Sequence, residues 1–156
     1  MAKKPGGLQI SFRPIGQDDW NYVLDSWKRS FRQHVGFHTP CYFAEISDRI
    51  EQIIDSPGTE FTMAVDPDDD NFILGWVCHD GNVVHYAFTR QCFRRARVAK
   101  RLVAEKLDTT KPIITTSWTR ACEAVNKRYD GALRYEPTRL SKGKKNGKKT
   151  KRIYDA

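Results

Sequence analysis

The chain has 156 residues, 39% hydrophobic and 29% charged, with a formal net charge of +8. That length suits one domain spanning 1–156, which at this size buries about 70% of its unfolded surface and needs no staples. No apolar run approaches the roughly 20 residues of a membrane span, and no apolar segment follows the basic residues 1–7, so neither a membrane anchor nor a secretory signal is expected. Residues 1–7 are expected to be a flexible N-terminus, and the protein to reside in the cytoplasm. The positive charge favours an anionic partner, a nucleic acid or a polyphosphate cofactor, without choosing between them.

Residues 8–14 (LQISFRP) alternate apolar and polar and predict a first strand. Residues 17–19 hold a helix start, with Asp18 or Asp19 as cap. Trp20, Val23, Leu24, Trp27 and Phe31 then share one helical face, which predicts a helix over about 19–33. Gly36 interrupts. Thr39 as cap and Pro40 in the first turn open a second helix with the stripe Phe43, Ile46, Ile50, Ile53 and Ile54, ended by Ser56, Pro57 and Gly58.

From Thr59 the period becomes two, and Phe61, Met63 and Val65 predict a second strand. Residues 66–71 (DPDDDN) lack the ligand spacing of a calcium loop and read as a solvated turn. Residues 72–79 predict a third strand. Asp80 with Gly81 is a hairpin signal, and residues 83–88 return as a fourth. The second to fourth strands therefore form an antiparallel meander.

Residues 83–103 (VVHYAFTRQCFRRARVAKRLV) carry most of the chemistry. A strand that feeds a basic helix start is a place for a phosphate. The first amides of a helix have no intrahelical partner, and the helix dipole favours negative charge there. The third helix is predicted over 94–107, with Val98, Ala99, Leu102 and Val103 as its apolar stripe. Residues 113–118 (IITTSW) predict a fifth strand, and Thr119 caps a fourth helix carrying Ala121, Val125 and Tyr129, ended at Asp130 and Gly131. Residues 133–140 and 148–154 flank a lysine-rich stretch with Asn146 and Gly147 at its tip. Residues 141–152 are read as the basic loop of a last hairpin.

Trp20, Trp27 and Trp76 are expected in the core, and Trp118 at the end of the fifth strand. Cys41, Cys78, Cys92 and Cys122 show no CxxC pair and read as reduced thiols used as small hydrophobes.

This order of elements, with residues 83–103 after the fourth strand, resembles the GNAT superfamily of N-acyltransferases over nearly the whole chain. The resemblance implies an α+β fold: a central, mostly antiparallel sheet of six or seven strands flanked by about four helices. The family's acetyl-CoA motif is Arg or Gln, two residues, Gly, one residue, then Gly or Ala. Here Arg94, Arg95, Ala96, Arg97, Val98 and Ala99 take its places, with Phe93 before them and Lys100, Arg101, Leu102 and Val103 after. Arg97 stands where the family has glycine. Its guanidinium either pairs with phosphate or fills the phosphate path.

The resemblance further implies an acyl-CoA-dependent N-acyltransferase, with acetyl-CoA as co-substrate, an amine as acceptor and no metal. The fourth and fifth strands would part, and Ala87, Phe88 and Thr89 would line the pantetheine arm. The amides of residues 95–99 would meet the pyrophosphate, with Lys100 and Asn126 on the cofactor side. A backbone N–H near Phe88 would polarise the thioester carbonyl, and Tyr129 would protonate the leaving thiolate. His85 is the candidate general base, with His79 and Glu60 as further candidates and His34 and His38 in the connection that walls the acceptor site. The alternative is a catalytically inactive GNAT-like basic module that binds nucleic acid or joins a larger assembly, for instance of a phage. It would use Arg94, Arg95, Arg97, Lys100, Arg101 and the lysine-rich loop. Acceptor, acyl group and oligomeric state stay open.

Overall fold

In the computed structural model, the described residues are 7–33, 40–128 and 131–139. In chain order they form β1 (Ser11–Pro14), α1 (Trp20–Gln33), α2 (Pro40–Asp55), β2 (Glu60–Asp66), β3 (Asp69–Asp80), β4 (Val83–Thr89), α3 (Val98–Lys106), β5 (Ile113–Thr115), α4 (Arg120–Arg128) and β6 (Leu133–Tyr135). The six strands lie side by side in sequence order. Neighbours from β1 to β4 are antiparallel, while β4–β5 and β5–β6 are parallel.

Both faces of the meander are covered, which explains why β3 reads FILGWVCH with little alternation. On one face Phe61, Met63, Trp76 and Tyr86 meet Trp20, Val23 and Trp27 of α1 and Ile50 and Ile53 of α2. The Trp27 ring lies 5.3 Å from that of Trp76 and stacks on Tyr86 at 5.8 Å. The other face packs Ala64, Leu74, Val77 and Val84 under Val98 and Leu102 of α3. Trp76 donates its indole N–H to Ser26 Oγ at 2.9 Å, so the polar edge of this deepest tryptophan is satisfied. The expected core tryptophans are thus all buried, and Trp118 is exposed.

Asp19 ties β1 to the start of α1. Its carboxylate accepts from both terminal nitrogens of Arg13, at 2.5 and 3.0 Å, and from the Gly16 N–H at 2.7 Å. The Arg13 hydrogen bond holds this carboxyl below its usual range, against the opposing effect of burial. Asp19 rather than Asp18 is therefore the organising acid, from within a 3-10 turn that precedes the helix. At α4, Thr119 caps as expected: its hydroxyl accepts from the Cys122 N–H at 3.3 Å.

Several boundaries differ from the sequence reading: the first strand begins at Ser11 rather than 8, and the strand expected over 133–140 ends at Tyr135. The third helix begins at Val98, not at 94. Residues 91–93 form a separate 3-10 turn, and Arg97 sits at φ 59°, ψ 30°, a left-handed conformation that no α-helix can include. The fifth strand stops at Thr115 rather than 118 because β4 and β5 part there. The third strand runs from Asp69 to Asp80, longer than predicted, since the acidic turn is short and its flanks pair. Of the expected last hairpin, residues 133–135 form β6, while the lysine-rich loop and the return strand lie outside the described residues, as do residues 1–6.

Candidate functional site

The backbone of β4 builds one side of the site. Its pairing with β5 covers only Val83 and Val84, and the Thr116 N–H to Val84 carbonyl bond, 3.1 Å, extends it by one step. Ser117 Oγ then donates to the His85 carbonyl at 2.8 Å. Beyond that contact, among the described residues, no strand lies beside β4 on this side. Two bonds fix which groups face the opening. The Arg90 N–H bonds Leu74 on the β3 side at 2.8 Å, whereas the His85 carbonyl faces β5. Strand alternation then turns the N–H and C=O of Ala87 and Thr89 toward the opening and those of Phe88 toward β3. The backbone groups that face the opening are therefore those of Phe88's neighbours, not its own.

Gly75 lets β3 approach this end of β4. A Cβ there would lie 2.5 Å from the Phe88 carbonyl oxygen and 3.1 Å from Val98 Cγ1.

The turn after β4 builds the second side. Arg90 anchors it: its Nε donates to the Ile73 carbonyl at 2.8 Å, and its guanidinium lies over the rings of Tyr22 and Phe72 at 5.2 and 4.9 Å. This cation–π clamp was not among the expected site features, although Arg90 is visible between an aromatic strand and the basic run. The Phe93 N–H bonds the Arg90 carbonyl and the Ala96 N–H bonds the Phe93 carbonyl, at 2.8 and 3.0 Å. Arg97 then turns left-handed and starts α3, whose first amides have no acceptor within the helix. Arg94, Arg95, Arg97 and Lys100 are exposed, Ala96 and Ala99 are partly covered, and Val98 is buried. Arg101 is spent elsewhere, donating to the Leu8 carbonyl at 2.5 Å. The result is a cationic helix start at the end of an open strand edge.

The candidate bases part company. Register places His79 opposite Val84 and Cys78 opposite Tyr86, so His85 is the extra residue of a β-bulge. The bulge puts His85 and Tyr86 both toward α1 and α2. His85 is 2% exposed, with Nδ1 3.0 Å from Thr116 Oγ1, and burial pushes its pKa down to about 4. It borders a small cavity with Trp27, Arg49, Thr116 and Ser117. His79 shares the parity of Val77 and so faces α3. It lies 3.3 Å from Thr62 Oγ1, and burial lowers its pKa too. The two histidines therefore lie on opposite faces of the sheet and cannot serve one site together. Glu60 is exposed at the head of β2.

Asn126 joins α4 to β6. Its side-chain oxygen accepts from the Leu133 N–H at 3.1 Å, and its carbonyl accepts from the Gly131 N–H at the same distance. Trp118, 38% exposed, packs its ring 5.7 Å from Tyr135. Tyr129, His34 and His38 lie outside the described residues. Among the described residues no cluster of His, Cys, Asp or Glu could hold a metal ion, and no helix is long and apolar enough to cross a membrane.

No protein-family model matches the chain, and no curated protein matches it. Solved structures do. The chain is similar to a predicted acetyltransferase, solved with acetyl-CoA, from Clostridium acetobutylicum, with a TM-score of 0.51 and 13% identity over 78% of this chain and 89% of that one. It is also similar to apo YjaB from Escherichia coli (TM-score 0.48, 21% identity, 64% of this chain). That match spans 65% of YjaB, a little under two thirds of its length. A third is AAC(6')-Iy in complex with a bisubstrate analogue, CoA-S-monomethyl-acetylneamine (TM-score 0.46, 13% identity, 85% of this chain and 95% of that one). The fold is that of the GNAT acetyltransferases.

Proposed function

We propose that the protein is an acyl-CoA-dependent N-acyltransferase that moves an acyl group, acetyl in the simplest case, to an amine. The observation that carries this reading is the junction of an open β4 edge with a cationic helix start. Outward backbone groups at Ala87 and Thr89 meet the left-handed Arg97 and the first amides of α3, which have no acceptor within the helix. These residues fit a thioester with a polyphosphate end. The edge suits an extended amide-bearing arm, the amides of residue 95 and residues 97–99 suit a pyrophosphate, the Ala96 N–H being held by the Phe93 carbonyl, and Arg94, Arg95, Arg97 and Lys100 add positive charge. The bound donor would supply an acyl group activated as a thioester.

The chain's own part is to hold and polarise. A backbone N–H of Ala87 or Thr89 donates to the acyl oxygen as negative charge develops there. Tyr129, which follows Arg128 in the sequence, is the proposed acid for the leaving thiolate. His85 is neutral at pH 7, and an imidazole with a pKa of about 4 is a weak base. The acceptor amine therefore arrives neutral or loses its proton to another group.

Isothermal titration with acetyl-CoA and with CoA tests the reading. Binding is expected, and its absence at millimolar ligand refutes it. Turnover unchanged in Tyr129→Phe removes Tyr129 as the acid. DNA or RNA binding that weakens steeply with salt, in a chain that ignores CoA, would instead support the inactive basic module.

A further inference from the structure

The cavity beside His85 has a volume of about 20 Å³, room for roughly one water molecule. Trp27 of α1, Arg49 and Ile50 of α2, His85 of β4 and Thr116 and Ser117 after β5 are among its walls. Two of these residues carry a buried polar atom without a hydrogen-bond partner among the described residues: the indole Nε1 of Trp27 and Nε2 of His85. Trp27 is 1% exposed and His85 2%. Folded proteins rarely leave such atoms unpaired, and two on residues that wall one cavity point to an occupant.

The chemistry of the walls limits what that occupant is. An indole N–H only donates. His85 Nδ1 is taken by Thr116 Oγ1, and whichever way that bond runs, Nε2 remains for the occupant. A group that accepts from Trp27 and also donates to or accepts from His85 is required. An ammonium cannot accept, and a carboxylate is too large for the space and accepts only. A neutral hydroxyl meets both demands.

We propose that this cavity is a binding site for one neutral hydroxyl group, held between the Trp27 indole N–H and His85 Nε2. The hydroxyl comes either from water or from the tip of an amine acceptor that carries one. The second source rests on the acyltransferase reading, because the Ser117 bond to the His85 carbonyl puts the cavity where β4 and β5 part. In either case His85 is a positioning residue, its Nδ1 held by Thr116 while Nε2 meets the bound hydroxyl. Arg49 also donates to the Pro137 carbonyl, which ties α2 to the chain after β6 beside the cavity.

The test is NMR on the full-length, ¹⁵N-labelled protein. A rotating-frame Overhauser cross-peak between the Trp27 indole proton and a long-lived water is expected, with one neutral tautomer of His85 from pH 6 to 8. Ethanolamine and ethylamine are then added to separate samples. Loss of the cross-peak with ethanolamine alone supports the site and makes the acceptor hydroxyl its second occupant. A cross-peak that survives both amines supports the site with water as its resident. Absence of the cross-peak, together with a dry cavity in a high-resolution crystal structure, overturns the proposal. These readings need no bound CoA, so a failure of the acyltransferase reading leaves them interpretable. As a second handle, His85→Gln keeps a donor and an acceptor at that reach and should retain the cross-peak, whereas His85→Leu, which removes both, should abolish it.

Discussion

Replacing Arg97 with glycine separates the backbone role of this position from its charge. Arg97 holds φ 59° and ψ 30°, and it is the one non-glycine residue with positive φ among the described residues. For a residue with a Cβ, that conformation costs about 1–2 kcal/mol. Glycine removes this cost but gives back roughly 0.5–1 kcal/mol through the greater freedom of the unfolded chain. Arg97→Gly should therefore stabilise the fold by about 0.5–1 kcal/mol. At roughly 2–4 °C per kcal/mol for a chain of this size, the melting temperature should rise by about 1–4 °C. Arg97→Ala keeps the Cβ, and with it the strain, so its melting temperature should not rise. Calorimetry on the three proteins decides, and a lower melting temperature for Arg97→Gly than for the parent refutes the backbone argument. Titration with CoA reads the charge separately. An exposed guanidinium on a phosphate is worth about 1 kcal/mol, so both variants should bind about fivefold more weakly. Tighter binding in both would mean that Arg97 fills the phosphate path.

The other expectations concern the frame around the site. The folded pKa of His85 lies near 4, below its ordinary 6.5, so the folded state binds fewer protons than the unfolded state between those values. Stability should fall as pH drops from 6.5 to 4, by up to about 3 kcal/mol, and His85→Gln should flatten urea midpoints over that window; parallel curves for the two proteins would contradict the burial argument. Gly75→Ala forces its Cβ against the Phe88 carbonyl, and such overpacking costs about 1–3 kcal/mol. Both the urea midpoint and CoA affinity should drop, and an unchanged midpoint would disprove the close approach. Asn126→Ala loses the bond to the Leu133 N–H and should cost about 1 kcal/mol with CoA affinity intact, so a tenfold loss of affinity in calorimetric titration would return Asn126 to the cofactor side.

Much of the frame is legible in the residues. The stripe from Trp20 through Trp27 marks α1, Thr119 marks the start of α4, and Asp80 with Gly81 marks the turn between β3 and β4. Each is a local signal, set by side-chain period or turn chemistry within a few residues. The basic run of residues 94–100 is equally legible as a candidate phosphate site. The start of α3 is not. An Arg at the position of a family glycine gives no local hint that the backbone still turns left-handed there, because β-strand and helix on either side impose that turn. The histidines mislead for a similar reason. His79 and His85 read as neighbours on paired strands, yet a single bulged residue reverses the face of one of them.

Composition, period and turn residues by themselves are enough for the element order and a basic helix start after the fourth strand. Those properties depend on interactions within a few residues of chain. Contacts between distant segments decide the rest. The parting of β4 from β5 depends on where Thr115 and Thr116 leave the ladder. The neutrality of His85 depends on burial under α1 and α2, some 30 to 65 residues upstream. The pairing of Trp27 with His85 around one cavity exists only once a helix and a bulged strand, far apart in sequence, are packed together.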